Sequence, residues 1–288
     1  MAQTAVIGFP RWTGMAAFAS VGASAAGYPA ANLGSLPLSR VWRSASTAPA
    51  DCEVGFVLSA ERPVRLLALC RHNGSRTAEF RVRLFGDAGM TLLRHDTGWQ
   101  PVWPVVYPLD SLSWWDGGLW DGVYTPEELA DTVWHRPVWL PDAYLTRAGT
   151  LSLRDPANAA GYLELGMLDI AQGWQVNTGF EFGADYGFKA RSTVVEAPGG
   201  ARYFTRRRKP RLWRGVFRYL DRDQALARGF ELLRRADLIE PFLWLPRPDD
   251  PQHWLRECWL GRLSDLALMT SALVGHDHFP LSLEEVLE

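Results

Sequence analysis

The chain has 288 residues, 47% hydrophobic and 22% charged, with a formal net charge of −2. That is enough apolar material for one large domain or two ordinary ones. It excludes a global field drawing the chain to nucleic acid or anionic membrane, and no run is long and apolar enough to span a bilayer as a helix. Tryptophan is the outlier, at 14 residues. Its large ring with one polar N–H serves either a Trp-rich core or a contact surface for other chains or sugars. The cysteines Cys52, Cys70 and Cys258 are too few and too scattered for a disulfide framework or a zinc site, and read as buried thiols.

Residues 1–50 are rich in small residues, Pro and Gly, and read as edge strands and turns. Within them 14–27 lacks the leucine-rich centre of a secretion signal and reads as a weak strand and loop. Residues 54–58 and 64–70 form two short buried strands, and 72–75, with Asn73-Gly74, form a reversal. Residues 79–85 alternate, with Phe80, Val82 and Leu84 on one face and Arg81 and Arg83 on the other, as in a half-buried antiparallel strand. Residues 99–147 break this rhythm. They hold Trp99, Trp103, Trp114, Trp115, Trp120, Trp134 and Trp139, many prolines and glycines, and one short helix. In that helix Thr125 is the N-cap, Pro126 the first position and Glu128 the capping-box partner. The segment reads as a long insertion. Strands resume at 149–154 and 162–170, separated by a turn at 155–161.

The second part has a different pattern. Residues 192–196 and 202–205 form a hairpin, followed by the basic stretch Arg206, Arg207, Arg208, Lys209 and Arg211. Residues 212–220 form a strand with Trp213, Phe217 and Tyr219 on one face and Arg214 and Arg218 opposite. Asp221 caps a helix whose stripe is Leu226, Phe230 and Leu233. Residues 242–245 form a strand, 246–251 a loop, and 254–268 the closing strands. The expected fold is mainly β: a β-sandwich over 1–174 carrying the insertion, then a smaller α+β domain over 175–288.

The run from Asp155 through Gly161 into Ile170, with Asn32-Leu33 and Trp42-Arg43-Ser44 upstream, resembles discoidin-like (galactose-binding-like) jelly-roll sandwiches of tailed-phage tail proteins. The element order after residue 175 resembles the tube-like domain of phage tail-tube and distal-tail (baseplate hub) proteins. The resemblance implies a structural virion protein of a tail tip or baseplate, linking tail tube to baseplate, made in the host bacterial cytoplasm and resident in the virion tail. Its implied partners are copies of itself in a ring, hexameric or trimeric, and other tail proteins. The alternative is a virion module whose sandwich recognises host surface saccharide. The long insertion and the lack of a calcium-loop signature depart from the family pattern.

Candidate chemistry is sparse. No phosphate-binding glycine loop and no nucleophile elbow is present. His276 and His278 flank Asp277 without an obvious third ligand and read as a polar tail loop, so no metal or cofactor is expected. Asp110, Asp116, Asp121, Glu127 and Glu128 lie among aromatic rings, which suggests a glycosidase as the third reading, but as turn-formers and helix-start charges they need no catalytic role. The chain is therefore read as non-enzymatic. Trp114, Trp115 and Trp120 are the candidate glycan or subunit contacts. Arg206 to Lys209, with Arg211, are the candidate intersubunit basic arm, with no specific nucleic-acid role and no membrane insertion.

Overall fold

The computed structural model describes residues 4–107, 122–129, 132–181 and 183–287. The chain divides into two compact bodies: 6–175 with 243–259 in one, and 4–5 with 176–242 and 260–287 in the other. Among the described residues no helix is long and apolar enough to cross a membrane.

The first body is an antiparallel β-sandwich. Its strands are β1 (Val6–Ile7), β2 (Ala16–Ser20), β3 (Trp42–Arg43), β4 (Glu53–His72), β5 (Glu79–Phe85), β6 (Leu93–Asp96), β7 (Gln100–Pro101), β8 (His135–Arg154), β9 (Glu164–Ala171) and β10 (Trp174–Gln175). The order β3-β9-β4-β8-β5-β6 is extended by β2 on β4 and β7 on β5. The runs 54–58 and 64–70 are not two strands but the ends of β4. Its first half pairs with β2 and with the last part of β8; its second half pairs with β9 and with the first part of β8. Register shifts after Val57 and Val64 mark the bends. An odd register shift moves side chains to the opposite face. Accordingly Val54, Phe56, Leu58 and Val64 enter the core before the second shift, and Leu67 and Leu69 after it.

β5 carries the alternation expected from its sequence. Phe80, Val82 and Leu84 are fully buried, each stabilising by about 1.5–3 kcal/mol relative to exposure. Arg81 pairs with Asp96 and Arg83 with Glu53 on the other face. Asp155, wholly buried after β8, accepts from Ser75 N (2.7 Å), Ser75 Oγ (2.7 Å) and Asn158 Nδ2 (3.1 Å). One carboxylate thus ties the β4–β5 loop to the β8–β9 turn. β7 and β8 occupy both margins of the 99–147 stretch, leaving 102–134 between them. In that interval Thr125 N donates to Glu128 Oε2 (3.0 Å), and Glu128 N to Thr125 Oγ1 (3.4 Å). This is the reciprocal capping box expected there, on the single turn Pro126–Leu129.

The second body contains β11 (Asp185–Phe188), β12 (Thr193–Glu196), β13 (Arg202–Thr205) and β14 (Arg211–Asp221). Next in the chain is β15 (Phe242–Leu245), whose residues 243–245 belong to the sandwich body and pair with β1. β16 (Trp259–Leu263), from residue 260 onward, β17 (Thr270–Leu273) and β18 (His276–Glu285) complete the second body. β14 pairs with β11 and β18, and β18 also with β16 and β17, all antiparallel. The strand β18 is not among the elements expected from the sequence, yet it alternates without a break: Asp277, Phe279, Leu281, Leu283 and Glu285 are buried and the strand residues between them are not. His276 and His278 therefore begin a strand rather than sit in a tail loop. The stretch 254–268 likewise opens with a helix, Trp254–Glu257, before β16.

Two facial expectations fail for local reasons. In β14 Trp213 and Phe217 are buried, but a bulge between Phe217 and Leu220 turns Tyr219 out (φ +55°, half-exposed) and puts Leu220 inside. In the helix that Asp221 caps through Asp223 N (2.9 Å), the middle turn, Ala225–Phe230, is a π-helix. Its extra residue per turn rotates the buried face. Ala225, Gly229, Leu232 and Ala236 face the sheet, Gly229 close against the Phe279 ring, while Leu226 and Phe230 face solvent.

Candidate functional site

An open groove lies on the sandwich between β2 and the loop after it. Phe18, Ala19, Ser20, Ser24, Ala25, Gly27 and Pro29 line it. β2 is the outermost strand on β4, and its alternation leaves Phe18 and Ser20 on the half-buried side. Phe18 is anchored against Phe56, with ring centroids 6.2 Å apart. The fully buried Trp42 donates its Nε1–H to Ser20 Oγ (2.9 Å) and Ser24 Oγ (3.1 Å), and the two hydroxyls lie 2.5 Å apart. Two hydroxyls sharing one hydrogen, with the indole N–H filling acceptor capacity, leave one O–H donor and one acceptor site. The groove therefore offers an aromatic edge beside a rigid donor–acceptor pair of neutral hydroxyls.

Next to the groove the Arg43 guanidinium lies between the rings of Tyr28 (4.2 Å) and Tyr162 (4.1 Å) and bonds Glu164 at 3.0 Å. Similar arginine caps cover other surface aromatics of this body: Arg62 over Trp12, Arg65 over Trp139 and Arg154 over Trp99. A capped ring face is closed to a sugar.

The other anticipated residues fall as follows. Trp114, Trp115 and Trp120 lie outside the described residues, as do Asp110, Asp116 and Asp121. Trp103 and Trp134 are core: they stack at 4.7 Å and are buried. Glu128 is held in its capping box and also accepts from Tyr107 (2.5 Å) and Arg256 (3.2 Å). Burial opposes its charge, but these hydrogen bonds and the Arg256 charge hold its carboxyl below the ordinary glutamate range. A general acid at neutral pH needs the opposite shift. No group of three or more His, Cys, Asp or Glu among the described residues could hold a metal ion.

All three cysteines are buried and unbridged. Cys52 immediately precedes β4 and Cys70 lies near the end of that strand. Burial pushes both thiols up. Of the basic stretch, Arg206, Arg207, Arg208 and Lys209 are exposed. Arg211 is not part of an exposed arm: it is buried and paired with Glu285, which also accepts from its backbone N–H at 2.9 Å. Phe18, Ser20 and Ser24 were not singled out in the sequence, because 14–27 carries too few large residues to show which face is used.

The strands define a mainly β protein with an antiparallel β-sandwich. No protein-family model and no curated protein matches the chain. Among solved structures it is similar to the family 32 carbohydrate-binding module of C. perfringens NanJ in complex with galactose, at 12% identity over 54% of this chain and 90% of that one, with a TM-score of 0.34. It is also similar to CpGH89CBM32-5 from Clostridium perfringens in complex with GalNAc-beta-1,3-galactose, at 8% identity over 54% and 93%, with a TM-score of 0.32. A third is truncated AlyQ with CBM32 and alginate lyase domains, at 12% identity over 70% and 53%, with a TM-score of 0.33. Such likeness concerns fold, and the sandwich is already defined by its own strand register.

Proposed function

We propose that the sandwich body is a saccharide-binding module whose site is the groove beside Phe18. The observation that carries this is the hydroxyl pair of Ser20 and Ser24, fixed by the Trp42 indole in an open groove with an aromatic edge. A neutral donor–acceptor pair matches sugar hydroxyls, and an aromatic side chain covers their C–H face. Galactose, the sugar held by the NanJ module, is the first probe. Calorimetry and a glycan array on the full chain test the reading. Binding that falls at least tenfold in Phe18→Ala and Ser24→Ala, with the melting temperature held, supports it. Absence of any glycan binding by the wild-type chain, or binding indifferent to both substitutions, sinks it.

A second reading rests on the second body: a structural protein of a phage tail tip or baseplate, assembling as a ring with copies of itself. What favours it is an apolar stripe left in solvent, Leu226 and Phe230 on the helix with Leu238 and Ile239 after it. Stripes of this kind are covered by another chain. Light scattering with negative-stain imaging checks it. A ring of defined copy number, disrupted by Phe230→Asp, supports assembly, and a monomer at all concentrations, with or without purified tails, counts against it.

A further inference from the structure

The hairpin β12–β13 is exposed along its whole length. Its register pairs Val194 with Phe204 and Glu196 with Arg202 on one face, and Thr193 with Thr205 and Val195 with Tyr203 on the other. Directly paired residues share a face, so both faces of the ribbon carry an apolar–aromatic pair. All four side chains are more than half exposed, Phe204 at 73%. The Glu196–Arg202 charges neutralise each other at 3.2 Å. Beyond them the tip, Ala197 to Ala201, holds no charge, and closes through Gly200 N to Ala197 O at 2.8 Å with Gly200 at φ +82°.

Apart from Arg202, which Glu196 neutralises, the cations are segregated from these rings. Arg191 precedes the hairpin, and Arg206, Arg207, Arg208 and Lys209 follow it, all exposed. They form a collar of five positive residues at the base of a net-neutral, aromatic-bearing ribbon. The overall charge of −2 conceals this concentration.

We propose that this arm is an anchor for an anionic bilayer surface, its tip in the interfacial layer and its collar against lipid phosphates. Apolar–aromatic pairs on both faces with cations at the base match a medium that surrounds the tip and carries anionic groups above it. Single-stranded nucleic acid favours cations interleaved with stacking rings, and here the two are separated along the strand. The reach fits. Four paired residues at about 3.3 Å each carry the tip roughly 13 Å past the collar, against an interfacial burial depth of about 5–10 Å. The outer edges of a two-stranded ribbon have unpaired backbone groups, so the arm rests in the hydrated interface and does not cross the hydrocarbon. The site lies in the second body and is independent of the saccharide reading.

The test is co-sedimentation of the full chain with vesicles of phosphatidylcholine alone and with vesicles one-third phosphatidylglycerol. Expected is binding to the anionic vesicles, weakened by salt and about fivefold weaker for each collar charge removed. Tyr203→Ser with Phe204→Ser should weaken it further at unchanged net charge, and Arg207→Gln with Arg208→Gln should weaken it without altering the melting temperature. No binding at low salt overturns the proposal. So does binding that ignores the Tyr203 and Phe204 changes, self-association abolished by those changes with no vesicle binding, or capture by single-stranded DNA in preference to vesicles.

Discussion

The Tyr124 hydroxyl donates to the Gln252 carbonyl at 2.8 Å and accepts from Leu255 N at 3.3 Å. Tyr124 is wholly buried in the Trp-rich segment of the sandwich, and burial pushes its phenol up to about 12, so it remains a neutral donor. A residue from the first half of the chain thereby holds 243–259 in the same body. Tyr124→Phe keeps the ring and removes both bonds. The expected loss is about 1–3 kcal/mol, read as a lower denaturant midpoint with an unchanged slope. A midpoint equal to wild type would mean that this contact does not hold the segment.

Gly149 lies on β8 under the Phe56 ring. A Cβ there would meet Phe56 Cζ at 2.5 Å and the Arg83 carbonyl at 2.8 Å. The neighbours are a packed core ring and a backbone oxygen, so neither yields easily. Gly149→Ala should cost about 1–3 kcal/mol by overpacking, while Gly14→Ala, with open space around it, should stay close to wild type. Adding Phe56→Leu to Gly149→Ala should cost less than the two single losses summed, because the smaller side chain makes room. Simple additivity in that cycle would rule out the steric account.

His72 carries a pH dependence with a definite sign. Burial first, and the nearby Arg136 charge second, lower its imidazole from 6.5 to about 3. Its Nε2 is buried with no hydrogen-bond partner, and its ring lies edge-on to Trp103 at 5.2 Å. Between pH 6.5 and 3 the unfolded chain binds a proton that the folded chain does not. Stability is therefore fully present above pH 6.5 and falls with acid, by at most about 1.4 kcal/mol per pH unit from this group. His72→Gln should flatten the stability profile between pH 6.5 and 5, above the range where most carboxylates titrate. Parallel wild-type and variant profiles there would show that His72 protonates equally in both states.

What the sequence disclosed and what it hid have physical causes. β5 was legible because Phe80, Val82 and Leu84 alternate with charges, and the capping box at Thr125 was legible because its chemistry is local. β4 reads as two strands because bulges reverse which parity of residue is apolar. The helix stripe at Leu226 and Phe230 was placed on the wrong face because a π-turn shifts the phase, and nothing in the spacing records that turn. The alternation of β18 from Phe279 to Leu283 is legible, but its polar opening at His276 reads as a loop. The groove hydroxyls could not be found from spacing, since Ser20 and Ser24 matter only through the Trp42 indole, a contact from another strand.

Arg11 and Asp169 supply the sharpest energetic test. The Asp169 carboxylate is almost wholly buried on β9. Its Oδ1 accepts from Arg11 Nε and from Thr13 Oγ1 at 2.7 Å, and Thr13 Oγ1 in turn accepts from Ile170 N at 2.8 Å. Arg11 also reaches Met167 Sδ at 2.9 Å. Removing one partner of a buried pair strands the other charge, at a cost of about 3–5 kcal/mol, whereas replacing both often costs little. Arg11→Met alone should therefore be severe and Asp169→Leu alone similarly so, while the double variant recovers much of the loss. Chemical denaturation of the four proteins gives the coupling energy directly. If the double variant falls by the sum of the singles, the two residues act through packing and not as an ion pair.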